Sequence, residues 1–157
     1  MRDQIYLLLQ PSDDPHWFEN LLSMGSEKIL PILSEIVMSQ ETPDPVRGRA
    51  VIALGHLRDT RATAVLIDAL HSDNAVLRAW TVTALGRINE ASPVIVEQLV
   101  ERLTDADGYV RRSSAEALGK LGSVGALPDL EAMAKNDSNE VNRQIAASAI
   151  EKIKENA

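Results

Sequence analysis

The sequence predicts an all-α fold, a superhelix of about five α-helical hairpins with roughly ten helices. Three observations carry this. Four stretches repeat one pattern, a capping residue, a helix and then Gly: Asp14-Pro15 to Gly25, Asp44-Pro45 to Gly55, Asn74 to Gly86 and Asp107 to Gly119. The last three contain Ala-Leu-Gly outright, and the glycines step by 30, 31 and 33 residues. No stretch alternates apolar and polar residues for long enough to argue a strand. Periods of this size mean stacked supersecondary units, which act by presenting a surface more often than by housing a reaction.

The units divide at about 1–25, 26–57, 58–90, 91–122 and 123–157, in a single domain whose first and last units are degenerate caps. The first unit reads as Asp3 to Leu9 and Pro15 to Met24. In the second, Glu27 to Ser39 places Ile29, Leu30, Leu33, Ile36 and Val37 on one helical face, with Ser26 as its expected N-cap. Pro31 falls one turn in, where a kink is tolerable. Its partner helix is expected to start at Pro45 with Asp44 capping, since proline at the first position loses no hydrogen bond. Val46, Ala50, Ala53, Leu54 and Leu57 form its buried stripe. Later hairpins pair Ala62 to His71 with Ala75 to Ile88, Pro93 to Leu103 with Gly108 to Leu121, and Val124 to Lys135 with Asn139 to Glu155. The last carries Ala149-Ile150-Glu151, a worn copy of the Ala-Leu-Gly signature. Short connections make neighbouring helices antiparallel.

Composition narrows the function. Of 157 residues 45% are apolar but only 3% aromatic, so the core is aliphatic and alanine-rich, which suits closely packed helices. A net charge of −7 disfavours nucleic acid and anionic membranes, which reward clustered Lys and Arg. Without cysteine there is no disulfide, thiolate metal site or thiol nucleophile. Asp3 and the brief apolar run Ile5 to Leu9 make neither a signal peptide nor a membrane span, so a cytoplasmic location is expected.

Three segments carry a family likeness: Asp44-Pro-Val-Arg-Gly-Arg-Ala-Val-Ile-Ala-Leu-Gly55, Val76-Leu-Arg-Ala-Trp-Thr-Val-Thr-Ala-Leu-Gly86 and Val110-Arg-Arg-Ser-Ser-Ala-Glu-Ala-Leu-Gly119. The chain resembles HEAT repeats, specifically the short HEAT-like repeats first noted in phycobilisome lyases. The resemblance covers nearly the whole chain and is weakest before Gly25 and after Val141. It implies a right-handed superhelix with first helices on the convex side and second helices on the concave side. It is nearly silent on function.

Arg47, Arg78, Arg111 and Arg143 share one repeat position. Six residues earlier stand Glu41, Ser72, Asp105 and Asp137, with Asp73 deputising for Ser72. A row of guanidiniums beside carboxylates has two readings, an anion site or a structural ladder. The ladder is favoured: HEAT families use such rows to link the turns of adjacent units, and Arg forks grip carboxylates in fixed geometry. Gly55, Gly86 and Gly119 are expected where a side chain would strike the neighbouring helix.

Opposite the buried stripe, the second helices expose a column from each unit. Phe18, Gly48, Arg49, Ile52, His56, Trp80, Thr83, Arg87, Tyr109, Arg112 and Glu116 fall there. Phe18, Trp80 and Tyr109 are three of the five aromatics, and an exposed aromatic is a common anchor for a partner. Against this, the first helix can fold over Phe18. The stripe carries more cations than carboxylates, which would draw an acidic segment of another protein. Against this, His56, Arg87, Lys120 and Lys152 also lie at helix C-termini, where cations offset the helix dipole.

Catalytic signatures are missing. His16, His56 and His71 are too few and too scattered for a shared metal centre. One helical-repeat enzyme family, deoxyhypusine hydroxylase, holds iron with His-Glu pairs, but here the histidines precede Trp17, Leu57 and Ser72. No Gly-rich phosphate loop, nucleophile elbow or zincin motif is present. The sequence therefore favours a non-catalytic interaction module, without cofactor or metal. It would hold another protein, an acidic segment in particular, against Phe18, Arg49, Ile52, Trp80, Thr83, Arg87, Tyr109, Arg112 and Glu116. The alternative is a bilin lyase or chaperone-like subunit binding a linear tetrapyrrole in the same groove, with Arg49 and Arg87 on its propionates and Trp80 stacked on its conjugated system.

Overall fold

The structure is a computed structural model and describes residues 1–12 and 14–157. Among the described residues it holds ten α-helices and no strand. They are α1 (Arg2–Leu8), α2 (Trp17–Leu22), α3 (Ser26–Met38), α4 (Asp44–Leu57), α5 (Thr63–Ala69), α6 (Ala75–Ile88), α7 (Pro93–Arg102), α8 (Gly108–Leu121), α9 (Leu127–Asn136) and α10 (Glu140–Glu155). Single 3₁₀ turns, Thr60–Ala62 and Val124–Ala126, lead into α5 and α9.

Local chemistry sets the ends. Asn74, Asp107 and Asn139 each accept hydrogen bonds from two amides of the first turn, so α6, α8 and α10 start where an Asx side chain can cap them. The second helices stop in the left-handed region at Arg58 (φ 51°), Asn89 (φ 59°) and Gly122 (φ 64°). Two expected starts move. α4 begins at Asp44, with Pro43 before it and Pro45 at its second position, so Asp44 caps nothing there. Its carboxylate instead accepts from Arg47 Nη1 (3.2 Å) and from Asn74 Nδ2 of the following hairpin (2.7 Å). Ser26 lies inside α3 and Gly25 takes the N-cap place at φ 90°, a backbone that glycine adopts without penalty.

The second helices α4, α6, α8 and α10 stack side by side, each against the next, and the first helices pack onto them. Spacing explains the recurrent glycine. A Cβ on Gly55 would stand 2.7 Å from Ala84 Cα, one on Gly86 3.0 Å from Ala117 Cβ, and one on Gly119 2.9 Å from Ala149 Cβ. Gly in one helix meets Ala in the next, so backbones approach within the reach of a methyl group. A continuous aliphatic core results: Leu33 and Ile36 of α3, Leu54 of α4, Leu66 of α5, Leu85 of α6, Leu99 of α7, Leu118 of α8 and Leu130 of α9 are buried. Each such side chain contributes about 1.5–3 kcal/mol. Leu57, expected in the buried stripe, is only half-buried at the end of α4.

Candidate functional site

The turn between the two helices of a hairpin holds the arginine row. Arg78 Nε and Nη2 donate to Asp105 at 2.9 and 2.8 Å, and Nη1 donates to the carbonyls of Ser72 and Asp73 in its own turn. Arg111 does the same one unit on, gripping Asp137 at 2.8 and 3.1 Å and its own Asp105 and Ala106 carbonyls. Each guanidinium therefore sews its own turn to the next. Burial would raise the Asp105 carboxyl, but the Arg78 hydrogen bonds, the Asp107 amide and the charges of Arg78 and Arg102 hold it below its ordinary range. Arg111 lowers Asp137 more than burial raises it. Arg47 differs. The matching position of the next turn is Ser72, so Arg47 donates to Val37 O (3.0 Å) and to Asp44 instead. Glu41 is exposed and outside the ion pairs, Asp73 contributes only its carbonyl, and Arg143 donates to Asp137 O (2.7 Å).

The second-helix face splits into two regions. At its beginning, α2 lies against α4. Arg49 donates to Gln10 O (2.7 Å) and Ser12 O (3.1 Å) and stands 5.1 Å over the Trp17 ring. Phe18 is half-buried, its ring 4.8 Å from that of His56. These contacts change what the sequence expects of two residues. Arg49 is engaged in holding the first unit, because two of its donors meet carbonyls of the segment crossing above it and its guanidinium lies over Trp17, and Phe18 packs within the chain. Trp17, Gln10 and Ser12 are contributors that the repeat alignment could not find, since they lie outside the repeated pattern.

Further along, the face opens. Ile52 of α4 and Trp80, Thr83, Ala84 and Arg87 of α6 line a cavity of 230 Å³. On the other side of the same indole, Ala75, Val76, Ala79, Trp80, Thr83, Asp107, Tyr109 and Ser113 line a second, of 290 Å³. Trp80 is a wall between two hollows, 37% exposed. Tyr109 is 74% exposed at the head of α8. Gly48, expected on the exposed stripe, is buried beneath the Trp80 ring. Thr83 spends its proton on Ala79 O (3.0 Å). Arg112 and Glu116 pair with each other at 3.1 Å, which removes both charges from the free set. Arg87 keeps its charge. Its Nη1 meets the His56 ring, whose Nδ1 lies 2.8 Å from Ile52 O, and it takes part in no ion pair among the described residues.

A metal finds no cage here. Among the described residues no three His, Asp or Glu side chains converge. His16 pairs with Glu19 alone at 2.9 Å on an open surface, and the guanidinium of Arg87 against the His56 ring repels a cation. No helix is long and apolar enough to cross a membrane among the described residues.

The HEAT repeats profile matches residues 19–86 and 63–151. Deoxyhypusine hydroxylase of Phaeosphaeria nodorum is 31% identical over 79% of this chain and 40% of its own length. The solved human deoxyhypusine hydroxylase, in complex with glycerol, superposes with a TM-score of 0.71 at 24% identity, over 99% of this chain and 64% of that one. The CpcE and CpcF complex of phycocyanin lyase from Nostoc superposes with a TM-score of 0.78 at 19% identity, over 94% of this chain and 95% of that one. Likeness at these identities between structures shows the fold. The chain spans about two fifths of the length of the curated relatives it matches.

These relatives overturn the reading as a non-catalytic scaffold. Curated proteins that match by sequence include deoxyhypusine hydroxylases, which are enzymes. The bilin lyase alternative fares no better, because the lyase is similar only in fold. The His-Glu pairs missing from the sequence bear on metal ligation and not on the repeat pattern that the relatives share. With two overlapping matches running from residue 19 to residue 151, the chain belongs to the HEAT repeats family.

Proposed function

We propose that this chain works within an enzyme of the hydroxylase class as the part that holds a protein substrate, and that it does so on the second-helix face around Trp80. The supporting observation is the pair of hollows that Trp80 divides, flanked by exposed Tyr109 and by the unpaired Arg87. Clefts with apolar walls and a few polar groups are where ligands bind. The sequence similarity to hydroxylases supports this reaction class. His-Glu pairs that would hold iron are not in this sequence, so on this proposal the oxidising group comes from outside these repeats.

The substrate is another protein, engaged through an acidic segment. Arg87, outside any ion pair among the described residues, favours a carboxylate, and complementary charge fixes register and speeds encounter. The test is genetic and chemical. The gene is deleted in the native source, and the proteome is searched for a side chain that loses one oxygen atom. Restoring the wild-type chain returns the modification, and restoring Trp80→Ala/Arg87→Gln does not. An unchanged set of hydroxylated residues in the deletion strain contradicts the proposal.

A further inference from the structure

The cavity of Ile52, Trp80, Thr83, Ala84 and Arg87 has a chemistry of its own, and we infer that it is a binding site for a small apolar or aromatic group that bears a carboxylate. This deepens the reading of the second-helix face as the working surface and rests on it. Four of the five lining residues offer carbon: the Ile52 side chain, the Trp80 indole, the Ala84 methyl and the Thr83 methyl. Thr83 has no proton left to donate, since its hydroxyl is committed to Ala79 O. Arg87 is the one charged group in the lining.

What that charge awaits follows from its surroundings. The other arginines of the second helices are provided for: Arg47, Arg78, Arg111 and Arg112 have carboxylates, Arg49 has two carbonyls, and Arg143 has one. Among the described residues Arg87 meets only the His56 ring. With Nδ1 of that ring donating to Ile52 O, Nε2 is the acceptor for Arg87 Nη1. One imidazole nitrogen occupies a single donor of a guanidinium that has five. Glu116 pairs with Arg112, and Glu90 accepts from the Thr63 hydroxyl (3.1 Å) and forms no ion pair with Arg87. A free fork beside a dry aromatic wall matches a carboxylate attached to a hydrophobic body, because the fork binds carboxylates bidentately.

Size sets the limit. At about 30 Å³ for each water of liquid, 230 Å³ displaces seven or eight waters, so the site takes one side-chain-sized group and not an extended chromophore. A carboxylate on such a body comes from two sources, a free aromatic acid or the C-terminal residue of a peptide. A ligand of about ten heavy atoms binds at a Kd on the order of 1 mM.

The experiment uses the full chain with Trp17→Phe, which leaves Trp80 as the sole indole, since the chain has two tryptophans. Trp80 emission is followed on titration with 3-phenylpropionate, with 3-phenylpropylamine, and with a tetrapeptide ending in Phe as free acid or amide. The expected result is saturable change with phenylpropionate, at least tenfold weaker binding of the amine, and at least tenfold loss in Arg87→Gln. Binding of the free-acid peptide but not its amide assigns the C-terminal source; binding of phenylpropionate alone assigns the free acid. Equal binding of acid and amine, or an Arg87→Gln variant with wild-type helicity and wild-type affinity, overturns the inference. Arg87→Lys, which keeps the charge without the fork, recovers part of the affinity if the guanidinium acts as stated. This binding is read on the isolated chain, so its failure leaves the deletion experiment standing, and a proteome without a lost oxygen leaves this titration standing.

Discussion

The Trp80 indole lies in the space that the absent side chain of Gly48 leaves on α4. A Cβ on residue 48 would overlap the six-membered ring, so the glycine is the seat of the aromatic wall rather than a gap in the helix. We expect Gly48→Ala to lift the ring into solvent. Alanine gains about 1 kcal/mol of helix propensity, while displacing the indole costs about 1–3 kcal/mol. The measurement is Trp80 emission in the Trp17→Phe background: it shifts to the red, with a net loss of up to about 2 kcal/mol in urea unfolding. Emission unmoved by the substitution contradicts the seat.

Helix spacing makes a graded prediction. Gly55 would press its Cβ against the backbone of Ala84, whereas Gly86 would meet mainly the Ala117 methyl group at 3.0 Å. Gly55→Ala is expected to cost about 1–3 kcal/mol, and Gly86→Ala less, because a methyl-to-methyl contact yields more readily than backbone. Thermal unfolding of the two variants checks the order.

The turn ladder is also testable by deletion. Arg111→Met removes the charged donors from Asp137, whose side chain is 2% exposed, and is expected to cost roughly 2–3 kcal/mol. Arg47→Met loses a half-buried pair with Asp44 inside one hairpin and is expected to cost less. Equal losses would mean that linking consecutive units adds nothing.

Acid stability follows from the same pairs. Asp105 and Asp137 titrate below their ordinary range when folded, so the stability they contribute is complete above the unfolded value of about 3.9 and drains away as pH falls through the lower folded values. Asp59 behaves likewise, held at about 2 by the side-chain hydrogen bonds of Arg61 and by its amide. Urea midpoints are expected to be flat from neutrality down to about pH 4 and to fall below it. In Arg111→Met, Asp137 loses the partner that chiefly lowers it, so the midpoint starts lower at neutrality and its decline below pH 4 is shallower.

Periodicity made the hairpins legible. Ala75 to Ile88 and Gly108 to Leu121 agree with the sequence to the residue, because Asn74 and Asp107 are unambiguous caps and Asn89 and Gly122 accept a left-handed turn. The starts of α3 and α4 were not legible, since Gly-Ser and Pro-Asp-Pro each offer two cap geometries. Within the stripe, Ile52, Trp80, Thr83 and Arg87 come together around one cavity because they sit on adjacent stacked helices. Arg49 and Phe18 share the alignment but not the role, for a repeat pattern says nothing of the irregular segment, Gln10 to Ser12, that crosses above α4. Gly48 falls on the exposed stripe by periodicity, and its contact with the Trp80 ring depends on the packing of α6 against α4, which periodicity does not set. The Glu27–Arg61 pair, with two contacts of 2.8 and 2.9 Å between α3 and the turn before α5, left no repeated signature to find.

The most direct measurement places a photo-reactive phenylalanine at Thr83, on the second-helix face, or at Glu131, on α9, in the native source. The account predicts that a protein carrying the modification lost on gene deletion is captured from Thr83 and not from Glu131. Capture of that protein from Glu131 alone, or equally from both positions, would contradict the claim that the second helices hold the substrate.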